Sequence, residues 1–362
     1  MKIGIIGLPL VGKSTVFQAL TGSAGKIGVA LVPDERVDKL SSLFRPRKTT
    51  YAQLELVDLD PYPLPGINGS QPPPTPADRR TFFERVRDVD ALIQVVRAFR
   101  NPAVPPPLDE IDPARELSLL QEEFQLSDYQ VLQSRLERLA KTGKPRAAAA
   151  ANPSLATEAA LLSRCSACLE QGRPLRTLSL QEDEERLLRS FDFFTFRPVI
   201  AVPNLDEDEW RTGEYPGQAE LAKKSAEYGF PLLPIAGLLE KEISELPPRD
   251  RAAFAAELGI EETGADRLAR TTYAHLGLIS FFTVGEDEVR AWTIRRGTTA
   301  RAAAGKIHSD IARGFIRAEV IAYPDLLAAG TLANARSHGR LRLEGKDYVV
   351  QDGDIINFRF HV

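Results

Sequence analysis

One stretch near the N-terminus limits what this chain can become. Ile3-Gly4-Ile5-Ile6 is an apolar, β-branched run of the kind buried strands carry. Gly7, Gly12, Lys13 and Ser14 follow at the spacing G-x-x-x-x-G-K-[ST]. Val16, Phe17, Ala19 and Leu20 then recur at helical spacing, with Gly22 as a stop. A strand, a glycine-rich turn and a helix in that order build a cradle for phosphate. The glycines let the backbone turn its N–H groups inward, and the helix N-terminus adds partial positive charge. Lys13 is placed to reach the β- and γ-phosphates and Ser14 to ligate Mg²⁺. The expected phosphate contacts are therefore Leu8, Pro9, Leu10, Val11, Gly12, Lys13, Ser14 and Thr15.

A chain of 362 residues has room for two or three domains. Its 43% hydrophobic and 27% charged residues are a globular balance, not a disordered one. No apolar run approaches the roughly 18 residues of a membrane span. The N-terminus enters a strand directly, so no signal peptide is expected. Cys165 and Cys168 are the only cysteines, which rules out a disulfide framework and points to the cytoplasm. No further cysteine completes a zinc site, and the pair reads as helix packing. A net charge of −4 argues against a broad nucleic-acid-binding surface but permits local basic patches.

The alternation of helix and strand continues along the chain. Val37, Leu40, Leu43 and Phe44 form a helical stripe. Tyr51 to Asp58 alternates and ends on a carboxylate, where open α/β sheets put their ligands. Residues 61–77 hold seven prolines and are expected to form a loop. A helix from Pro76 to Asp88 and a buried strand from Ala91 to Val96 come next. Two long amphipathic runs, Leu117 to Leu139 and Leu155 to Leu169, read as a helical hairpin broken at Gly143-Lys144-Pro145. Strand patterns resume at Phe196 to Val202 and Pro231 to Ile235, with helices over Pro216 to Tyr228 and Glu240 to Leu276. The last 85 residues form a small, mostly antiparallel β-grasp-like module, with a hairpin around Gly285 and helices over 299–314 and 325–338. They hold twelve Lys and Arg against ten Asp and Glu. Arg295, Arg296, Arg301, Arg340, Arg342 and Lys346 are the candidates for a patch that meets RNA.

The strand that starts at Phe196 leads into Asn204-Leu205-Asp206-Glu207. Guanine-specific phosphate-loop proteins carry Asn-Lys-x-Asp there, and the aspartate accepts from guanine N1–H and the 2-amino group. Here Leu205 replaces the lysine and Glu207 holds the aspartate's position. A longer carboxylate does not sit in the same bidentate geometry, and losing a charged double hydrogen bond costs several kcal/mol of guanine preference. Adenine has an unprotonated N1 and no 2-amino group, so the change favours ATP. Asn204, Leu205 and Glu207 are the expected base contacts. The same acidic run also suits the cap of a following helix.

Together these residues resemble the Obg-like ATPase (YchF) family. The resemblance is carried by Gly-x-Pro-x-Val-Gly-Lys-Ser-Thr at 7–15, the Asn-x-x-Glu tetrad at 204–207 and the inserted helical hairpin. In the C-terminal stretch it is carried by Glu288 to Ile294, Gly314 to Ile321, Leu343 to Tyr348, Asp352-Gly353-Asp354 and Phe358-Arg359-Phe360. It implies an α/β P-loop NTPase G domain with an inserted α-helical hairpin and a C-terminal β-grasp-like (TGS) domain. The expected boundaries are 1–108 with 194–277 for the nucleotide-binding part, 109–193 for the helical part and 278–362 for the TGS part. It further implies ATP preferred over GTP, slow hydrolysis to ADP and association with ribosomes or RNA. A monomer without a membrane partner is expected.

The departures from the family fall where hydrolysis is carried out. Relatives have a switch I segment with Asn-Tyr-Pro-Phe and a threonine, which is largely missing between Thr21 and Val32. Switch II reads Asp58-Leu59-Asp60-Pro61; the resemblance implies Asp58 as the second Mg²⁺ contact, through water, but Pro61 has no N–H where relatives use a glycine N–H on the γ-phosphate. Gln94 stands in place of a histidine and is the candidate to position water, while Leu10 replaces the asparagine of the loop. Three functions stay open: a slow ATPase acting as a switch on the translation machinery, a nucleotide-binding interaction module without hydrolysis, and a GTPase. The tetrad disfavours the last.

Overall fold

Buried β-branched strands alternating with one-sided helices make a layered α/β arrangement, and a computed structural model describes residues 1–64, 74–141, 153–247, 249–251, 254 and 262–361. The chain divides into two compact units, Met1–Gly28 with Glu55–Gly264, and Val29–Leu54 with Ala265–Val362.

In chain order the first elements are β1 (Lys2–Ile6), α1 (Lys13–Thr21), β2 (Ile27–Val32), α2 (Glu35–Phe44), β3 (Lys48–Thr50), β4 (Ala52–Asp58), α3 (Pro76–Arg87) and β5 (Ala91–Arg97). The hairpin helices α4 (Pro113–Lys141) and α5 (Pro153–Glu170) follow, then α6 (Glu182–Arg189) and β6 (Val199–Asn204). A five-stranded sheet runs in the order β2-β4-β1-β5-β6. Strand β1 is parallel to both β4 and β5, and β5 is parallel to β6. Parallel pairing brings the C-terminal ends of β1, β4, β5 and β6 to one edge. Gly7, Asp58 and Asn204 are delivered there from three different strands.

After β6 come α7 (Glu207–Thr212), α8 (Gln218–Tyr228), α9 (Gly237–Glu245) and α10 (Gly264–His275). The strand expected over Pro231 to Ile235 is absent. Leu232 and Ile235 make only isolated bridges to Ala201 and Asn204: Leu233 N and Ile235 N donate to Ala201 O at 2.9 Å and Pro203 O at 3.0 Å, but Pro203 in β6 has no N–H to return, which breaks the ladder. The helical region expected from Glu240 to Leu276 contains α9 and α10.

The helical hairpin closes over its own core of Leu132, Leu161, Leu162, Cys165, Cys168 and Leu169. Burial pushes the Cys165 thiol up to about 11, so it is an inert packing group, as the pattern of the helix implied. The break expected at Gly143 to Pro145 lies outside the described residues, as does 65–73 of the proline run. Two buried carboxylates on α4 fix the hairpin to the sheet. Asp128 accepts from Phe194 N at 3.0 Å and from Thr195 N and Oγ1 at 2.7 Å each, just before β6. Glu116 accepts from Arg97 N at the end of β5 at 2.8 Å.

The second unit contains a six-stranded sheet in the order β10-β9-β11-β7-β8-β3. Its strands are β3, β7 (Leu278–Thr283), β8 (Glu288–Arg295), β9 (Phe315–Ala322), β10 (Arg342–Glu344) and β11 (Asp354–Phe360). Pairings are antiparallel except β7 with β11 and β3 with β8. The helix expected over 299–314 is two, α11 (Ala300–Ile307) and α12 (Ser309–Arg313), because His308 is extended between them. The helix expected over 325–338 is likewise α13 (Tyr323–Ala329) and α14 (Leu332–Ser337), parted at Gly330 with φ 72°. Residues 29–54, expected in the nucleotide-binding part, pack here. Strand β3 pairs Lys48, Thr49 and Thr50 with Glu288, Val289 and Arg290. Arg36 bridges Asp34 at 2.8 Å and Asp352 at 2.9 Å.

Burial raises the Glu116 carboxyl from its ordinary 4.5 to about 8. The folded chain then holds a proton that the unfolded chain releases, so Glu116 makes stability fall as pH rises from 4.5 through about 8. Glu116→Gln keeps an acceptor for Arg97 N and removes the titration. Urea melts across that range are expected to show the variant gaining on the parent by at least about 1 kcal/mol at the alkaline end.

Candidate nucleotide-binding site

The phosphate loop is shaped by two left-handed residues, Leu10 with φ 63° and Gly12 with φ 84°. Gly12 is also the N-cap of α1, and a Cβ there would lie 2.1 Å from Asn204 Nδ2. Only glycine meets both conditions. Lys13 is buried and forms an ion pair with Asp58, itself buried at the end of β4. The Ser14 hydroxyl donates to the other Asp58 oxygen at 2.7 Å. The structure therefore brings Lys13 and Ser14 of the loop together with Asp58.

Asn204 is the second fixed point. Its Nδ2 donates to Val11 O at 3.1 Å, and its Oδ1 accepts from Gly237 N at 3.0 Å, the first residue of α9. One buried side chain thus ties the phosphate loop to the ends of two further elements. Gly237 was not singled out from the sequence; a Cβ there would lie 2.8 Å from Asn204 Oδ1.

Beside the loop lies a cavity of about 420 Å³. Its apolar lining includes Leu10, Phe99, Val104, Leu205, Leu238 and Leu239, and Asn204 and Glu207 also contribute. No motif pointed to the wall at 99–104, which Arg97 builds from behind. That guanidinium donates to Phe99 O at 3.2 Å, Pro105 O at 2.8 Å and Asn101 O at 3.3 Å, and it stacks on the Phe99 ring at 4.3 Å. Asp206 and Glu209 form a reciprocal capping box on α7, at 2.9 and 3.0 Å. The acidic run does cap a helix, and it does so while Glu207, on the cavity rim, pairs with Arg211 at 2.6 Å.

Comparison with known proteins now decides the family. Residues 278–361 match the family model for the C-terminal domain of YchF GTPases, described as a protein of unknown function. Residues 2–133 match a model described as 50S ribosome-binding GTPase. The chain is 36% identical over 377 residues to the ribosome-binding ATPase YchF of Bacillus subtilis, covering all of both chains. It is 35% identical over 375 residues to the protein of that name from Escherichia coli O157:H7, covering 100% of this chain and 99% of the relative. The solved Schizosaccharomyces pombe YchF GTPase superposes with a TM-score of 0.87 at 30% identity, over 99% of this chain and 97% of that one. The chain belongs to the YchF family.

Among the expected contacts of this YchF-family chain, Gln94 does not fit its assigned role. Its side chain is fully buried beneath α4, where Nε2 donates to Leu117 O at 3.1 Å and Oε1 accepts from Gln121 at 2.8 Å. An amide spent on a helix cannot orient water at a phosphate. The backbone after Asp58 is also committed, with Leu59 N on Ile5 O at 3.2 Å and Tyr62 N on Gly7 O at 3.0 Å. The six basic residues proposed as a patch are all exposed. Arg340 and Arg342 direct theirs to Asp325 at 3.4 Å and Asp354 at 3.6 Å.

Removing the Asn204 amide leaves Val11 O and Gly237 N without their buried partner, at about 1–3 kcal/mol. Asn204→Ala is expected to lower thermal stability and nucleotide affinity together, in melting and titration calorimetry. Gly12→Ala, which adds strain and a clash, is expected to abolish nucleotide binding.

Proposed function

We propose that this chain is an ATP-binding P-loop NTPase of the YchF family. It takes ATP in preference to GTP, hydrolyses it slowly to ADP and acts as a nucleotide-dependent regulator associated with the ribosome. The observation that carries the choice of base is the apolar cavity rimmed by Asn204-Leu205-Asp206-Glu207 in place of a lysine and aspartate pair. Leu8 to Thr15 hold the phosphates, with Lys13 as the buried cation. The Ser14 hydroxyl and Asp58 carboxylate are the hard oxygen donors that Mg²⁺ takes beside phosphate oxygens and water. Among the described residues no cluster of three or more His, Cys, Asp or Glu side chains could hold a metal, which fits an ion that arrives with the nucleotide.

The division of labour assigns nucleotide to 1–108 with 194–277, the helical hairpin to 109–193 and partner contact to 278–362, with 29–54 joined to that last part. The ribosome is the partner named for the curated relatives, and the exposed basic residues of the C-terminal part suit RNA. A monomer in the cytoplasm is the form proposed, and no helix among the described residues is long and apolar enough to cross a membrane. A second reading, nucleotide binding without turnover, is favoured by the burial of Gln94 and by the proline at 61.

Titration calorimetry on the full chain is expected to give tighter ATP than GTP binding, with Lys13→Ala losing at least about tenfold through a missing charged contact. Tighter GTP binding would overturn the proposal. Multiple-turnover assays with and without ribosomes then separate the two readings, slow turnover supporting the first and none the second.

A further inference from the structure

Two cations near the phosphate loop take no part in the contacts described so far. Lys26, just before β2, and Arg85, in the last turn of α3, both form ion pairs with Asp60. Asp60 lies two residues beyond Asp58, the carboxylate that holds Lys13 and Ser14. A cavity of about 600 Å³ opens on this side of the loop, lined by Pro9 of the loop together with Asp60, Pro61, Tyr62 and Arg85. Asp60 takes both cations at once, so Lys26 and Arg85 share one neighbourhood on this side of the loop. The Lys26 and Arg85 side chains are 67% and 47% exposed, which leaves both able to change partner.

The chemistry of this end of the site is otherwise short of donors. The switch threonine has no counterpart, Pro61 has no N–H, and the N–H groups of Leu59 and Tyr62 are spent on Ile5 and Gly7. A terminal phosphate bound by Lys13 presents new negative charge beside Asp60. A guanidinium pairs with phosphate oxygens bidentately at least as well as with a carboxylate. We propose that Arg85, assisted by Lys26, is the γ-phosphate contact of this chain, held in reserve by Asp60 and drawn onto the terminal phosphate when ATP binds. Arg85 is thus the residue that separates ATP from ADP, an arginine supplied in cis where the switch segments are reduced. The inference rests on the nucleotide-binding reading above.

The test is titration calorimetry on the full chain with ADP and with a non-hydrolysable ATP analogue, both with Mg²⁺. Arg85→Ala is expected to weaken the analogue about tenfold, the loss of one charged contact, and to leave ADP within about twofold. Arg85→Lys is expected to recover part of the loss. Asp60→Asn removes the competing carboxylate and is expected to shift the ratio the other way, toward the analogue. An unchanged analogue-to-ADP ratio in Arg85→Ala, or an equal loss of both ligands, overturns the role of Arg85 while the nucleotide-binding reading stands. If the parent chain binds neither ligand, both fall.

Discussion

The site depends on the Asn204 carboxamide. One amide, buried at the end of β6, donates to the phosphate loop at Val11 and accepts from the start of α9 at Gly237. Three pieces of chain distant in sequence are held in register by those two bonds. The close approach of Gly12 and Gly237 to the same amide explains why both are glycines. The cavity of about 420 Å³ opens beside this junction, and Asn204 lines it while tying it to the phosphate loop.

A second tier of buried polar groups keeps the sheet edge rigid behind it. Glu116 and Asp128, both on α4, accept backbone N–H groups from the end of β5 and from the segment before β6. Burial lifts both carboxyls, to about 8 and about 6, so each is held at some cost and is retained for the geometry it imposes. Arg97 continues from the same strand end into the wall at 99–105. The inserted hairpin is therefore braced against the two strands that deliver the base cavity. Gln94 belongs to this brace and not to the chemistry.

The phosphate loop, its strand and its helix were legible because short-range spacing alone specifies them. Lys13 and Ser14 meet Asp58 because parallel pairing of β1 with β4 brings the end of β4 beside the loop. The family resemblance carried the fold class. What escaped the sequence was long-range. Strand β3 is three residues long and pairs with β8 across more than two hundred positions, which no periodicity reports. Gln94 looked available because a polar residue in a buried strand does not say which face it occupies. Lys26, Asp60 and Arg85 are ordinary charges in three separate segments, and only the fold puts them on one side of the loop. Pro231 to Ile235 had the composition of a strand, but Pro203 in the neighbouring β6 lacks the N–H that a continuous ladder needs.

The central claim is that base choice resides in the tetrad at the end of β6. It is tested most directly by competitive titration of ATP against GTP on a Leu205→Lys, Glu207→Asp double variant, which restores the two side chains that guanine recognition uses. The ratio of GTP to ATP affinity is expected to rise by at least about tenfold over the parent chain, as one charged hydrogen-bond pair is regained. An unchanged ratio in a variant that still binds ATP would contradict it.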